Sequence, residues 1–473
     1  MERTLAGLFR NALRQEVHIA DVLGTEDRSG SDLLKQAEAM AAGLRDHGLL
    51  ADEPVHVRVG NRPGDLAAML GVWLAGGVAV PVHSLAAPHT IELLGKATGA
   101  RLALEGDAVE VIGYSPPPRR ALLDDAALIV FTSGTTGSPK GVVISHAALA
   151  GKIEVLERLL GIQAADVVLL PLHLTFIFGI WVAALTLRSG ARLVLVPKFS
   201  RQAVETGLSE GVTVLAAVPS MLRTLLAVIP PAAPALRMIL TGGEALGPSL
   251  GAKLMQAWSA GRVHDLYGST ETGSCDFWHT PGRGEEGSIG TPTSNVLFRI
   301  LDENGNEVYD RGVGELCIRT PYGMAGYLDN PELTRASFEA GYYRTGDLAR
   351  AGADGSVSLV GRLKELVSSG GNKIAPQEID NLLTTHPDVS ASLSAGRPDG
   401  RLGETLHSVV VLSSNATVTA GGLREWLSER VERFKLPKTI QFVGELPTGP
   451  TGKASRAALR DLLLLQFKHH DTW

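Results

Sequence analysis

The sequence TSGTTGSPKG covers residues 132–141 and joins an apolar run, ALIV at 127–130, to a helical pattern, HAALAGKIEVLERLL at 146–160. Gly134 and Gly137 permit tight turns with positive φ, which bring backbone N–H groups close to an anion. The serine and threonine hydroxyls add further hydrogen-bonding groups in the same small volume. Glycine-rich polar loops are also common at protein surfaces. Composition alone therefore fits either a phosphate-binding loop or a plain surface connection.

The order of residues decides between these alternatives. The Walker pattern GxxxxGK[ST] is absent, because Pro139 precedes Lys140 and Gly141 follows it. TSGTTGSPKG instead resembles the signature loop of the adenylate-forming superfamily, which contains acyl-CoA synthetases, the adenylation domains of peptide synthetases, and luciferases. The resemblance implies that the loop binds the phosphates of ATP through Thr132, Ser133, Gly134, Thr135, Thr136, Gly137 and Lys140.

Outward from this loop, short apolar runs alternate with amphipathic stretches through most of the first 300 residues. The runs are 54–60, 78–83, 127–133, 191–197, 212–219 and 236–243, and the amphipathic stretches are 31–46, 64–75, 146–160 and 247–260. Such alternation predicts α/β layers with largely parallel sheets. After about residue 290 the pattern changes to strands and turns, in which DENGNE (302–307) and GADGS (352–356) are typical of hairpin connections.

We therefore expect an α/β protein of two domains. Residues 1–361 should form a large N-terminal domain of stacked α/β sheets, with a β-rich part from about 290 to 361. Residues 362–473 should form a small, mobile α+β domain. Its expected helices lie near 376–386 and 421–433, and its expected strands near 406–412 and 439–443. No low-complexity linker separates the two domains, so a short hinge is favoured over a flexible tether.

Further motifs of the same superfamily follow in order. LTGGEAL (240–246) resembles the strand and turn beside the adenine, which implicates Gly242, Gly243 and Glu244. YGSTETG (267–273) resembles the YGxTE element, which places Tyr267 and Gly268 at the nucleotide, Thr270 at the α-phosphate and Glu271 on Mg²⁺. A carboxylate is a natural ligand for Mg²⁺, which in turn neutralises phosphate charge.

Two later motifs complete the resemblance. YRTGDLA (343–349) places Asp347 where the superfamily binds both ribose hydroxyls, and GRLKE (361–365) implies Arg362 near the ribose and Lys364 as the hinge. LPTGPTGKASR (446–456) matches the motif that carries the catalytic lysine, here Lys453. Attack of a carboxylate on the α-phosphate brings two anions together, and a fixed ammonium offsets their repulsion. Lys453, Glu271 and Thr270 are the predicted catalytic residues.

The sequence identifies the acid substrate less clearly than it identifies the ATP site. In α-amino-acid adenylation domains, the segment corresponding to 176–191 supplies an aspartate that pairs with the substrate ammonium, and this chain has Ile177 there. An α-amino acid is therefore disfavoured, unless a carboxylate such as Asp276 substitutes. The predicted acid pocket contains His173, Phe176, Phe178, Gly179 and Ser269. An aromatic lining favours aryl or aryl-enoic acids over short aliphatic ones, although such aromatics are also typical of a core.

The expected reaction is acid plus ATP to acyl-AMP and pyrophosphate, followed by transfer to a pantetheine thiol. The segment SSGGNKIAP (368–376) should approach the active site in that second step. Pantetheine is shared by CoA and acyl carrier protein, so either acceptor fits. One alternative passes the adenylate to another nucleophile, such as an amine or nitrite. Another is a non-catalytic nucleotide-binding protein, which the intact motifs disfavour.

Composition limits the partners and the compartment. The 473 residues include 50 acidic and 44 basic side chains, and the net charge of −6 supplies no basic field for nucleic acid. The cysteines, Cys275 and Cys317, show no metal-ligand spacing, which fits a reducing cytoplasmic setting. Residues 167–187 are apolar and about long enough to span a bilayer, but Pro171 and Gly179 interrupt them. We expect a strand, a loop and a helix start there.

Overall fold

The computed structural model describes residues 4–113, 115, 117–132, 139–227, 230–259, 261–282, 288–308, 312–413, 416–449 and 454–465. Within these ranges the chain forms three β-sheets with helices packed on their faces. The α/β class expected from the sequence is confirmed.

The helices are α1 (Leu5–Leu13), α2 (Gly30–Asp46), α3 (Pro63–Ala75), α4 (Pro88–Thr98), α5 (His146–Leu160), α6 (Ile177–Arg188), α7 (Arg201–Ser209), α8 (Pro219–Leu226), α9 (Pro248–Ala257), α10 (Pro331–Ala336), α11 (Pro376–Leu383), α12 (Ala420–Ser428) and α13 (Arg456–Leu465). Short 3-10 turns cover Ala121–Leu123, Leu363–Glu365 and Arg433–Lys435. The first strands are β1 (His18–Asp21), β2 (Asp27–Ser29), β3 (Pro54–Val59), β4 (Val78–His83), β5 (Leu102–Glu105), β6 (Ala108–Val111), β7 (Ala126–Thr132), β8 (Lys140–Ser145), β9 (Val167–Leu170), β10 (Arg192–Leu195), β11 (Val214–Ala216), β12 (Met238–Gly242) and β13 (Arg262–Tyr267). The remaining strands are β14 (Phe277–His279), β15 (Ser288–Pro292), β16 (Leu297–Leu301), β17 (Gly314–Arg319), β18 (Gly326–Tyr327), β19 (Phe338–Glu339), β20 (Tyr342–Ala351), β21 (Val357–Arg362), β22 (Val367–Ser369), β23 (Asn372–Ile374), β24 (Val389–Asp399), β25 (Gly403–Leu412) and β26 (Thr439–Phe442).

The largest sheet runs in the order β16-β17-β20-β21-β15-β14-β13-β12-β11-β9-β10-β1-β2, with β19 added to β20. Its half from β1 to β13 is mainly parallel, and its half from β14 to β21 is antiparallel. The halves meet where β13 pairs antiparallel with β14, and β15 then joins β14 to β21 at a further junction. Gly290 makes this junction possible, because a Cβ atom there would lie 1.8 Å from the carbonyl oxygen of Trp278 and its φ is +81°.

The second sheet, β18-β8-β7-β4-β3-β5-β6, contains the two strands that flank the predicted phosphate loop. β7 and β8 pair antiparallel from Ala126 and Ser145 to Thr132 and Lys140, so the loop connects two strands. The sequence pattern had led from this loop to a helix, but the β-branched run GVVIS forms β8 first and α5 begins only at His146. The loop therefore does not lie at a helix N-terminus.

The third sheet consists of β22 to β26, all after residue 366. The helix expected at 421–433 is shorter, because Leu427 is its last buried residue and the exposed Glu429 and Arg430 have no core to pack against. Residues 167–187 form β9, a loop and α6, as predicted. None of the helices in the described ranges is both long and apolar enough to cross a bilayer.

Candidate adenylation site

The carboxyl ends of β12 and β13 meet at one edge of the largest sheet. Gly242 ends β12 against β13, and a Cβ atom there would lie 2.3 Å from the carbonyl oxygen of Leu266. Gly243 follows with a φ of +79°. The chain can turn sharply here, which leaves backbone exposed at the sheet edge where open α/β sheets bind ligands.

Glu244, predicted to face the nucleotide, contacts helix α8. Its carboxylate accepts hydrogen bonds from the hydroxyl of Ser220 at 2.7 Å and from the backbone N–H of Ser220 at 3.1 Å. Arg223 lies 3.6 Å away. The Glu244 side chain thus stabilises the first turn of α8. Gly242 and Gly243 remain the part of the LTGGEAL motif that lies nearest the carboxyl ends of β12 and β13.

Asp347 is the centre of the predicted ribose site. Tyr267 donates its hydroxyl to Oδ2 of Asp347 at 2.6 Å, and Nε of Arg362 lies 2.7 Å from Oδ1. Burial and the negative charge of Asp347 raise the pKa of Tyr267 well above its usual value, so the phenol stays protonated and donates. Tyr267, Asp347 and Arg362, predicted separately from three motifs, are therefore in contact.

The segment 268–276 follows β13 and carries the predicted phosphate and metal residues. Gly268 is packed so closely that a Cβ atom would lie 2.5 Å from the backbone nitrogen of Cys275. Ser269 hydrogen-bonds Thr272 through both its N–H and its hydroxyl. The segment is therefore a compact turn that presents Thr270 and Glu271 between its two packed ends.

Glu271 has an aromatic neighbour that sequence reasoning missed. The hydroxyl of Tyr327 lies 3.0 Å from Oε1 of Glu271, and Lys140 lies 5.5 Å from the centre of the Tyr327 ring. Burial and the charge of Glu271 raise the pKa of Tyr327 to about 12, so the phenol donates to the carboxylate. Tyr327 thus connects the lysine at the end of the phosphate loop to the predicted metal ligand.

The predicted acid pocket lies around helix α6. Phe178 stacks on Trp181 with centroids 5.2 Å apart, and Trp181 is fully buried. Phe176 is half-exposed at the helix N-terminus. The imidazole of His173 stacks on His83 with centroids 4.1 Å apart, and burial with the nearby His83 lowers the pKa of His173 to about 4. The His173 ring is therefore neutral at pH 7.

Gly179 has a clear packing role. A Cβ atom at residue 179 would lie 2.6 Å from the carbonyl oxygen of His173. The glycine therefore lets α6 approach the loop before it, whether or not it also contacts the acid. Replacement of Gly179 by a larger residue would move His173 and could not by itself test the pocket.

The two positions considered for binding a substrate ammonium are both unavailable. Ile177 is buried in the core. Asp276 is fully buried, and its Oδ1 lies 3.1 Å from Nζ of Lys152, which is also fully buried. Burial raises the pKa of Asp276, and the adjacent Lys152 ammonium opposes that rise. The Asp276 carboxylate already has its counter-ion within the protein.

Comparison with known proteins matches this geometry to one family. The family model described as AMP-binding enzyme matches residues 8–112 and 101–328, and the model for the AMP-binding enzyme C-terminal domain matches residues 378–453. The chain belongs to the AMP-binding enzyme family. It is accordingly an ATP-dependent enzyme that forms acyl adenylates, an AMP-forming acid–thiol ligase.

Relatives within this AMP-binding enzyme family differ in the acid they are named for. The sulfoacetate–CoA ligase of Cupriavidus necator is 36% identical over 73% of this chain and 68% of its own length. The indoleacetate–CoA ligase of Aromatoleum aromaticum is 30% identical over 92% of this chain and 93% of its own length. ATP-bound MatB from Rhodopseudomonas palustris superimposes with a TM-score of 0.84 at 26% identity, covering 97% of this chain and 98% of that one.

Several residues predicted for this AMP-binding enzyme fall outside the described ranges: Ser133, Gly134, Thr135, Thr136, Gly137 and the catalytic candidate Lys453. Thr132 and Lys140 pair across β7 and β8 at the two ends of the loop. Lys364 lies in the 3-10 turn directly after Arg362, between β21 of the largest sheet and β22 of the third sheet. Its predicted hinge position is therefore also where the chain leaves the largest sheet.

The donor set at Glu271 fits a magnesium ion of the kind this family uses. Its carboxylate is a hard oxygen ligand, and Thr270 beside it carries a hydroxyl. In the part of the chain that the structure describes, no three His, Cys, Asp or Glu side chains cluster as metal ligands. A single carboxylate agrees with Mg²⁺, which usually takes its other ligands from phosphate and water.

Two further polar residues were missed by the sequence analysis. Asp265 lies two residues before Tyr267 in β13, so the two side chains share one face of the strand. Burial raises the pKa of Asp265 to about 7. Lys152 interrupts the apolar side of helix α5, between Ala148 and Val155. A lysine at a buried helical position was a visible signal that its partner lay elsewhere in the chain.

Proposed function

We propose that this enzyme activates a carboxylic acid that lacks an α-ammonium group, either aromatic or small and apolar. The observation that carries the proposal is the Lys152–Asp276 ion pair. α-Amino-acid adenylation domains have an aspartate where this chain has Ile177, and Asp276, which could otherwise take its place, is already occupied by Lys152. An ammonium beside Ile177 would be buried without a counter-charge, at a cost of several kcal/mol. The stacked Phe178 and Trp181 support a preference for a flat acid.

The residues of the site divide the adenylation reaction between them. Asp347 accepts hydrogen bonds from the ribose hydroxyls, with Tyr267 holding the carboxylate in place. Thr270 contacts the α-phosphate, and Glu271 holds Mg²⁺, which neutralises phosphate charge when bound. Lys453 stabilises the negative charge that develops as the carboxylate attacks. The roles of Thr270, Glu271 and Lys453 all concern charge at the α-phosphate, from which pyrophosphate leaves.

We propose CoA as the thiol acceptor, with a phosphopantetheinyl carrier protein as the alternative. Relatives at 36% and 30% identity are named as CoA ligases, which supports CoA. Residues 362–473 are proposed to rotate about Lys364 between adenylation and thiol transfer, which brings 368–376 to the site. Cys275 and Cys317 are both buried and free, which supports work in the reducing cytoplasm.

The test is pyrophosphate release across a panel of acids, with CoA and with holo carrier protein as acceptors. The panel contains aryl, aryl-enoic, short aliphatic, sulfonated and dicarboxylic acids, together with α-amino acids. We expect the highest kcat/KM for an aromatic or small apolar acid without an ammonium, and thioester formation with CoA. Preference for an α-amino acid would overturn the substrate proposal. Thioester formation with the carrier protein but not with CoA would overturn the proposal that CoA is the acceptor.

A further inference from the structure

Lys152 is a fully buried lysine whose partners all lie in or beside one distant segment. From helix α5 its Nζ lies 3.1 Å from Oδ1 of Asp276 and 3.1 Å from the carbonyl oxygen of Cys275, to which it donates. The same ammonium lies 5.2 Å from the centre of the Tyr322 ring. A buried charge requires such compensation, so these contacts determine where the segment can lie relative to α5.

The segment that Lys152 holds has an unfavourable backbone conformation. Ser274 and Cys275 have φ values of +67° and +49°, in the left-handed region that side-chain-bearing residues rarely adopt. Such a conformation persists only where its surroundings determine it. The hydroxyl of Thr293 donates to the same Cys275 carbonyl at 3.1 Å, and the hydroxyl of Thr272 donates to Asp276.

This left-handed turn faces the predicted acid pocket. Nε1 of Trp181 donates to the Ser274 hydroxyl at 3.3 Å, and Trp181 stacks on Phe178 in helix α6. At its other end the segment continues into Glu271 and Thr270. One short stretch of chain therefore connects the phosphate side of the site to the acid side, and Lys152 contacts the acid end.

We propose that Lys152 and Asp276 are positioning residues that fix the Ser274–Cys275 turn and thereby the shape of the acid pocket. The proposal rests on the proposed function in placing the acid beside α6. Neither residue touches the reacting atoms. Their effect appears in the KM for the acid and in the choice among acids, and the affinity for ATP depends on other residues.

An ion pair that only stabilises the fold affects thermal stability, whereas an ion pair that positions the turn also affects the KM for the acid. Lys152→Met alone and Asp276→Leu alone each leave one buried charge without a partner, so both should lower thermal stability. The double variant K152M/D276L removes both charges and replaces them with apolar side chains, which is often neutral for stability. The double variant therefore separates the role in stability from the role in acid binding.

The experiment compares wild type, the two single variants, the double variant and Arg158→Met, an exposed control on the same helix. It uses the acid that the wild type turns over fastest, whatever its class. For the double variant we expect near-wild-type Tm, less than a 2-fold change in ATP affinity, and at least about a 10-fold rise in acid KM. A double variant with wild-type KM and acid preference would overturn the inference.

If the double variant does not fold, Thr293→Val carries the test. It removes the second hydrogen bond to the Cys275 carbonyl and leaves the ion pair intact. A rise of several-fold in acid KM with unchanged ATP affinity supports the inference, and unchanged acid KM contradicts it. Because the acid is chosen by the wild-type panel, preference for an α-amino acid would refute the proposed substrate class without affecting this comparison.

Discussion

The hydroxyl of Tyr267 lies 2.6 Å from Oδ2 of Asp347, across 80 residues of sequence. Tyr267 ends the last parallel strand, β13, and Asp347 lies in the antiparallel strand β20. The hydrogen bond therefore joins the parallel and antiparallel halves of the largest sheet at the proposed ribose site. A carboxylate held in this way needs little rearrangement to accept further hydrogen bonds from a nucleotide.

Replacement of Asp347 by Asn should weaken ATP binding. The amide retains the shape of the carboxylate but loses the charge that strengthens its hydrogen bonds, which is worth about 1.5–3 kcal/mol. We expect a fall in ATP affinity of roughly 10- to 100-fold, measured by calorimetry and by ATP–pyrophosphate exchange. Asp354→Asn, in the exposed hairpin between β20 and β21, is the matched control. Equal affinity in the Asp347 and Asp354 variants would refute the ribose assignment.

Replacement of Lys453 by Ala should slow adenylation without preventing ATP binding. The ammonium acts on charge that develops in the transition state, so its loss should lower kcat by ~10² or more and leave ATP affinity within a few-fold. Single-turnover pyrophosphate release measures the rate of adenylation, and calorimetry measures the affinity for ATP. Normal adenylation by this variant would show that another group stabilises the transition state.

Arg456 should position the loop that carries Lys453. It lies 2.6 Å from Glu365 in the 3-10 turn after β21, 2.6 Å from Gln377 and 2.7 Å from the carbonyl oxygen of Ser394, and it also pairs with Asp380. Arg456→Lys keeps the charge but loses the planar fork that makes these contacts together. We expect a decrease in adenylation rate of roughly 10- to 100-fold.

The control for Arg456 is Arg460→Lys, one turn further along α13. Arg460 is half-exposed and pairs with Glu404, so its replacement should change adenylation by less than about 2-fold. Similar losses in both variants would indicate a general effect on α13. A normal rate in Arg456→Lys would show that the loop is positioned by other contacts.

Acidification should destabilise the fold through buried histidines such as His56. Burial, together with the charge of Arg58, lowers the pKa of His56 to about 4, and its Nε2 lies 2.9 Å from the Thr98 hydroxyl. The unfolded chain therefore takes up a proton first as pH falls from 6.5 towards 4, and stability is lost in that window. The shift corresponds to roughly 3 kcal/mol.

The His56→Gln variant tests this pH dependence. Its Tm should fall less between pH 6.5 and pH 4 than the Tm of wild type, because the group that titrates is absent. His47→Gln, at an exposed position, should retain the wild-type dependence. The same pH dependence in all three proteins would show that His56 does not contribute.

The sequence located the parallel strands well because their signal is local. The apolar runs predicted at 78–83 and 236–243 became Val78–His83 and Met238–Gly242. Turn chemistry was equally local: in DENGNE, Oδ1 of Asp302 accepts from the backbone N–H groups of Asn304 and Asn306. Motif order similarly predicted that Tyr267, Asp347 and Arg362 serve one site.

The sequence does not predict which side chains from distant segments contact each other. Neither the α5 pattern nor the YGSTETG motif indicates that Lys152 pairs with Asp276, 124 residues later. The LTGGEAL motif predicts Glu244 at the nucleotide, and it does not indicate the hydrogen bond from Ser220 that the structure shows. Such pairings depend on how helices pack on the sheet, which periodicity alone does not determine.

The junction at Gly290 has a consequence for protein engineering. Because β15 pairs with both β14 and β21, all the strands between residues 288 and 362 except β18 belong to the same sheet as β1. A chimera joined near residue 290 would cut hydrogen-bonded strands and separate Tyr267 from Asp347. A chimera joined within Leu363–Glu365 leaves the pairing of all three sheets intact, so the C-terminal portion is the unit to exchange between homologues.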